Sequence, residues 1–393
     1  MKKFLPLIAI IVLVLAYGYG HYASKFDANT VQKYYRQMLP SADKFEPIND
    51  RIAKAVGADG DVLAYLGISS HVGYGGPILV GTVLSTSGAV TDVIILEHKE
   101  TPSYINKIIK AGFFRQFANK QAGDALSFDY DIEGVSGATL STRAIALSVQ
   151  DVAHVVALED LKVTPKKAEV KWNIGMQEII ISLLFVLSVF MPRFKQLSRF
   201  RFQFLIISIL ILGFWLNRSI SMAQISALFL GYLPSPGDNL IWYIVLIGVI
   251  GPILFTGKNI YCNYVCPFCG LQEITHKISR INLPMGKYLK WFRLVKEILL
   301  FIVLFLAFIS LNPSVSSFEP FGTMFGLNGS SYQWYLLFII LLASFFYRRF
   351  WCFAFCPVGT FLDKVAGLTR KIKSIFSRTS SISNRSVDVN NAK

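Results

Sequence analysis

Apolar residues fall in long unbroken blocks over much of this 393-residue chain, and the gaps between the blocks are short, polar and often basic. The blocks cover residues 4–17, 174–191, 202–216, 240–255, 294–311 and 335–346. Because roughly 20 apolar residues in a helix cover a hydrocarbon core of ~30 Å, the blocks predict about six transmembrane helices. Between the first and second blocks the pattern changes. Residues 78–84 and 93–96 are apolar runs either side of a Thr86-Ser87-Gly88 turn, the signature of a β-hairpin. Helical periodicity follows over 103–117 and 141–158, with a short strand predicted over 127–132. The predicted fold is an α+β domain followed by an α-helical transmembrane bundle. Its parts are an anchor (1–22), the α+β domain (23–171), a second helix with a basic loop (172–201), two helix-pair units (202–280 and 281–363) and a basic tail (364–393).

Composition agrees. Hydrophobic residues make up 53% of the chain and charged residues 16%, with a mean hydropathy of +0.48, the balance of a membrane protein. A net charge of +15 would ordinarily suggest nucleic acid. Here the cations occupy the gaps, as at Arg193, Lys195, Arg199 and Arg201 or at Lys277, Arg280 and Lys287, where they act as topology signals, so no nucleic-acid partner is expected. Lys2 and Lys3 hold the start of the first block inside, and an aromatic flank from Tyr17 to Tyr22 replaces a small-residue cleavage site, so the block reads as a retained anchor. Alternation of the basic gaps then puts both termini in the cytoplasm and residues 23–171 outside it.

Five cysteines, none within 23–171, are too few and too clustered for a disulfide framework. Tyr261-Cys262-Asn263-Tyr264-Val265-Cys266-Pro267 and Trp351-Cys352-Phe353-Ala354-Phe355-Cys356-Pro357 share the pattern aromatic-Cys-x-x-x-Cys-Pro, and Cys352 follows Cys262 by 90 residues. The same offset carries one helix pair onto the next, an internal repeat. Residues four apart share a helix face, so each pair presents two thiols together, and the proline is expected to end or kink the helix. Four soft ligands, Cys262, Cys266, Cys352 and Cys356, suit an iron–sulfur cluster or zinc, while four thiols packed as small apolar groups is the simpler alternative. Cys269 stands outside the pattern. Gly251-Pro252 interrupts a block and marks a kink beside which a quinone or second flavin would fit, or plain helix packing. None of the five histidines lies in a block, so haem b lacks axial ligands there.

One stretch of the α+β domain carries further chemistry. Glu133-Gly134-Val135-Ser136-Gly137-Ala138-Thr139 is a turn-forming run that delivers a threonine hydroxyl to the start of a predicted helix, whose unpaired N–H groups favour a phosphate. The run resembles the Asp-Gly-x-Ser/Thr-Gly-Ala-Thr site of bacterial FMN-binding domains, with Glu133 in place of the usual Asp. Two upstream pieces fit the same family: Gly73-Tyr74-Gly75-Gly76-Pro77-Ile78 resembles its glycine-rich strand entry, and Glu100-Thr101-Pro102 its loop beside the isoalloxazine. The resemblance implies FMN esterified to Thr139 by a flavin transferase, with Ser136, Gly137, Ala138, Glu100, Thr101, Tyr74 and Gly75 around it.

The cysteine motifs resemble those of NosR-like and PceC-like polyferredoxin-type membrane flavoproteins. That likeness implies a multi-pass protein of the bacterial cytoplasmic membrane with its FMN domain extracytoplasmic. Electrons would pass between a quinol or a cytoplasmic ferredoxin-like donor, a cysteine-ligated iron–sulfur site and the FMN, which serves an extracytoplasmic redox protein. The alternative is a membrane-anchored flavin sensor or a maturation factor for an exported reductase.

Overall fold

The computed structural model describes residues 5–23, 28–73, 76–98, 100, 102–128, 130–135, 138–166, 174–233, 236, 239–281, 283, 289–316, 318–327 and 331–390. The chain divides into two compact units, one of residues 11–170 with 307–314, the other of 1–10, 171–306 and 315–393.

Two helices, α1 (Leu5–Ala23) and α2 (Ala28–Met38), precede an antiparallel meander of β1 (Lys44–Asn49), β2 (Ile52–Val56), β3 (Val62–Val72), β4 (Pro77–Ser85) and β5 (Val90–His98), paired in chain order. Strand side chains alternate between faces, and both faces of this sheet are covered. Tyr65, Ile78, Val80 and Leu84 pack with Ile145, Val149 and Val152 of α4 (Thr139–Glu159), while Leu66, Ile68, Leu79 and Val83 pack with Tyr34, Tyr35 and Met38 of α2. Glycine permits the closest approach. A Cβ on Gly67 of β3 would lie 2.9 Å from Val152 Cγ2, with Cγ1 nearer still.

The hairpin expected over 78–96 is β4 and β5, turned through Gly88 at φ +85°. The helix expected over 103–117 is split: α3 (Pro102–Lys110) stops before Gly112, which adopts φ +66°, and a 3₁₀ turn (Phe113–Phe117) follows. Among the described residues no ladder forms over 127–132 beyond an isolated Phe128–Ile132 bridge. The Asp131 carboxylate accepts the N–H groups of Leu126 and Ser127 there, at 3.1 and 2.6 Å, and so competes with strand pairing. Residues 307–314 belong to this unit, with Asn312 buried so close to the Gly76 turn that a Cβ on Gly76 would lie 2.5 Å from Asn312 Oδ1.

In the second unit come α5 (Met176–Phe190), α6 (Lys195–Ser198) and α7 (Arg201–Ser208), which runs on as a π-helical stretch (Ile209–Trp215). Then follow α8 (Met222–Leu230), α9 (Leu240–Thr256), a π turn (Tyr261–Val265) and α10 (Pro267–Ser279). The second copy of the repeat is α11 (Leu289–Ile309), α12 (Phe321–Gly326), α13 (Ser331–Phe346), α14 (Phe350–Ala354) and α15 (Pro357–Asn390). Ser226 and Ser316, also 90 residues apart, are buried and hydrogen-bonded to each other at 3.1 Å. Ser226 belongs to α8 and Ser316 to a 3₁₀ turn (Pro313–Ser316), so their bond ties the two copies together through unlike elements.

Among the described residues no helix is long and apolar enough to cross a membrane. This overturns the six transmembrane helices expected from the apolar blocks. Helices α5, α9 and α13 have 15, 17 and 16 residues, and a rise of ~1.5 Å per residue makes them ~22–26 Å long against a core of ~30 Å. The block at 202–216 is divided between α7 and the π-helical stretch. Helix α11 has 21 residues but carries Lys290, Arg293, Lys296 and Glu297 in its first half, and the apolar run of α1 stops at Ala16, before Tyr17. The sidedness deduced from the basic gaps no longer has those spans to support it.

Candidate functional site

In the sheet unit, Thr139 is the first residue of α4 and is exposed, whereas Ser141 and Thr142, the other hydroxyls of that first turn, are fully buried. The turn before it is tied down from within. Ala138 N–H donates to the Val135 carbonyl at 2.9 Å, and the Thr142 hydroxyl donates to the Ala138 and Thr139 carbonyls while lying 3.4 Å from Val135 N. Upstream, the Gln116 amide clasps the Glu133 backbone at both N–H (2.8 Å) and carbonyl (3.0 Å). Gly134 has no room for a side chain, since the Phe128 ring lies where its Cβ would be. Above that ring, 4.6 Å from its centroid, sits the guanidinium of Arg143. Arg143 is one helical turn after Thr139 and therefore on the same face of α4, whose N-terminus opens at the exposed hydroxyl. A phosphate ester fits there.

Glu100 is buried, and its Oε1 occupies the space that a Cβ on Gly73 would need. Gly73 N–H donates to the Gly76 carbonyl at 2.8 Å, closing the β3–β4 turn. The structure thus brings Glu100 against the glycine-rich turn and buries Ala138 at the head of α4. Tyr74, Gly75, Thr101, Ser136 and Gly137 lie outside the described residues. Helix α4 is anchored to β3 by Asp151, which takes a hydrogen bond from Ser69 Oγ at 3.0 Å and pairs with His71 Nε2 at 2.7 Å.

In the helical unit the two cysteine motifs share one backbone device. Cys266 N–H donates to the Tyr261 carbonyl (2.8 Å) and Cys356 N–H to the Trp351 carbonyl (3.0 Å), each a five-residue π-type closure. The prolines then begin new helices, Pro267 in α10 and Pro357 in α15, rather than ending the old ones. Proline is at home at a first helical position, where its missing N–H costs nothing. Each second cysteine consequently sits at a helix N-terminus, where the helix dipole favours thiolate.

Cys262, Cys266, Cys352 and Cys356 line one cavity of ≈ 240 Å³. Gly359 N–H donates to Cys356 Sγ at 3.3 Å and Gln272 Nε2 to Cys352 Sγ at 3.4 Å, while the Gln272 carbonyl oxygen accepts Trp351 N–H at 2.9 Å. Asn259 accepts the Cys262 N–H and is itself held by Asp363. Burial pushes the Cys266 thiol up to about 12 and raises Cys262 and Cys356 too, the direction expected of thiols buried with no cation beside them. Among the described residues no three His, Cys, Asp or Glu side chains close on a point as one metal ion requires. The four sulfurs surround a space instead, which suits a cluster whose own bulk holds its thiolates apart. Cys269 occupies the place that Gly359 has in the other copy and is buried against Cys352, whose hydrogen bond lowers its pKa. Gly251 and Pro252 lie inside α9, where the Thr256 hydroxyl donates to the Pro252 carbonyl.

Beside the cavity, Glu273 gathers three arginines. Arg201 forms a two-pronged pair with it at 3.0 Å for each prong, and Arg348 (3.0 Å) and Arg349 join at Oε1. Burial raises the Glu273 pKa, but the Arg201 hydrogen bonds and the charges of Arg349, Arg201 and Arg348 overcome it and hold the carboxyl down at about 2.

Geometry and sequence define a flavin and iron–sulfur protein. The FMN-binding domain family matches residues 73–154, and the 4Fe-4S binding domain family matches residues 238–286 and 334–375, which contain both cysteine motifs. The chain is NosR-like. It is similar to protein NirI of Paracoccus denitrificans, 27% identical over 46% of this chain and 30% of that one, and to regulatory protein NosR of Pseudomonas aeruginosa, 23% identical over 47% and 28%. It thus spans under a third of the length of those relatives. One component of the proton-translocating ferredoxin:NAD(+) oxidoreductase complex of Clostridium ljungdahlii is 28% identical over 37% of this chain and 83% of its own length.

Proposed function

We propose that the protein transfers electrons between a donor, quinol or a ferredoxin-like protein, and an extracytoplasmic redox partner, using a cysteine-held iron–sulfur cluster and an FMN linked covalently to Thr139. The observation that carries this reading is the single cavity ringed by Cys262, Cys266, Cys352 and Cys356 in a chain that also holds an FMN-binding domain. A bound cluster exchanges single electrons, and a bound flavin exchanges one or two. The chain's own residues do the rest. Gly359 N–H and Gln272 Nε2 donate to sulfur, which stabilises negative charge there, and the two helix N-termini add to the same field. Among the described residues Thr139 is the exposed hydroxyl of the first turn of α4, open to a flavin transferase, and Arg143 complements the phosphate. An ester bond keeps the flavin where free FMN is scarce, which fits an extracytoplasmic domain.

Exposed apolar side chains on α5 (Ile179, Leu183, Val186) and α13 (Phe338, Ile339, Leu342) support association with a bacterial membrane or with apolar components of a membrane complex. The test is a cofactor inventory of the purified protein by optical and EPR spectroscopy, with in-gel flavin fluorescence of Thr139→Ala. Iron–sulfur signals together with flavin fluorescence that Thr139→Ala abolishes are expected, and fluorescence surviving in Thr139→Ala or a protein free of iron would reject the reading. A regulatory role is the second reading, favoured by the name of the NosR relatives. Reduction of the flavin by quinol or reduced donor at turnover rates distinguishes the two.

A further inference from the structure

Among the described residues three guanidinium groups share the single carboxylate of Glu273, two positive charges more than it offsets. They line a pocket of ≈ 350 Å³ with Asn263 and Phe353, and Asn263, Arg349 and Phe353 also line the cysteine cavity, so the two openings share a wall. Arg201 and Arg349 are largely buried, and Asn263 fixes both, its carbonyl accepting Arg201 Nε at 2.9 Å and its Oδ1 accepting Arg349 Nη1 at 3.1 Å. Arg348 differs. Its side chain is 60% exposed, and the neighbouring aromatic ring of Phe353 is 45% exposed. The pocket therefore presents an outward cation and an outward aromatic ring at the rim of the cysteine site.

We infer that this rim docks a small electron-carrier protein whose face around its redox centre is acidic. The inference rests on the electron-transfer reading above and names where the partner binds. Small organic ligands need enclosing apolar walls, and among the described residues Phe353 is the one apolar side chain lining this pocket. A protein face brings its own apolar surface, and its carboxylates meet the surplus guanidinium charge, an arrangement that sets orientation and association rate. In the docked pair one electron leaves the carrier and one enters the cysteine-held centre, with no bond made or broken.

The probe is an oxidised plant-type ferredoxin, strongly acidic, titrated onto the full-length loaded protein at low and at physiological ionic strength, with binding read by thermophoresis. Saturable binding that weakens with salt is expected. Arg348→Glu should weaken it roughly tenfold and flatten the salt dependence, Arg348→Lys should retain most of it, and Phe353→Ala should raise the off-rate. Arg201 and Arg349 still neutralise Glu273 in the Arg348 variants, and unchanged iron content and EPR spectrum verify that the site is intact. Equal binding by wild type and Arg348→Glu overturns the inference. So does Arg348-dependent binding of orthophosphate without binding of ferredoxin, which would make the pocket a small-anion site. A shifted EPR spectrum in Arg348→Glu with ferredoxin binding unchanged overturns it too, since the arginines would then serve only the thiolates. Absence of iron from the wild type is a different failure, that of the electron-transfer reading itself.

Discussion

Glu273→Gln keeps the shape of the side chain and removes the charge that three arginines share. The wild-type carboxyl is held at about 2 against an ordinary 4.5, and at ~1.4 kcal/mol per unit that difference amounts to about 3 kcal/mol. Stripping one partner from a buried ion pair costs a similar ~3–5 kcal/mol, because the remaining charges keep their desolvation cost without compensation. For a unit of this size the loss lowers the melting temperature by about 6–12 °C. Thermal unfolding followed by near-UV circular dichroism reads it directly. The pH dependence supplies a second check. Because the folded-state pKa is depressed, the stabilisation is complete above pH 4.5 and is lost as pH falls towards 2. Wild type should therefore lose stability more steeply than Glu273→Gln across that window. A variant that melts within a degree of wild type, or parallel pH curves, would refute the reasoning.

Serine at Cys262, Cys266, Cys352 or Cys356 should each lower iron per chain and weaken the iron–sulfur EPR signal, while Cys269→Ser keeps both, as does Cys269→Gly, which copies the equivalent Gly359; iron analysis decides. Gly67→Ala should cost about 1–3 kcal/mol by wedging α4 off β3, seen as a lower melting temperature of the flavin-binding unit, and an unchanged melt would contradict the packing described. Thr142→Val keeps volume but loses the hydroxyl that ties the 135–139 turn, so flavin attachment at Thr139 should slow in a time course of in-gel fluorescence while the chain still folds.

Much of the sheet unit was legible because its signals are local. The β4–β5 hairpin announces itself by two apolar runs about Gly88, and the start of α4 by the turn residues before it. The first strands were not, since β1 carries Lys44, Glu46 and Pro47 and β2 has only five residues. The apolar blocks were real, yet hydropathy does not report where a helix stops, and the π-helical closure after Ser208 and the charges within α11 lie inside or beside apolar runs. The cysteine repeat was plain, but the role of its prolines inverted: they open helices, because the five-residue closure has already ended the previous turn. The arginine cluster joins residues 72 to 76 positions apart, a separation that no local pattern encodes. A faint signal existed even so, for Glu273 is the one acidic residue between 257 and 293, a stretch otherwise rich in cations.

Asn312 and its neighbours reach the flavin-binding unit from far along the chain. During synthesis the sheet and α4 leave the ribosome well before residues 307–314 exist, so the Gly76 turn waits uncovered while much of the helical unit is made. A chain that stalls or is clipped before residue 307 would carry Thr139 on a flavin-binding unit without its closing segment. Completion of that unit thus reports that synthesis has passed residue 314, beyond the first cysteine motif and before the second.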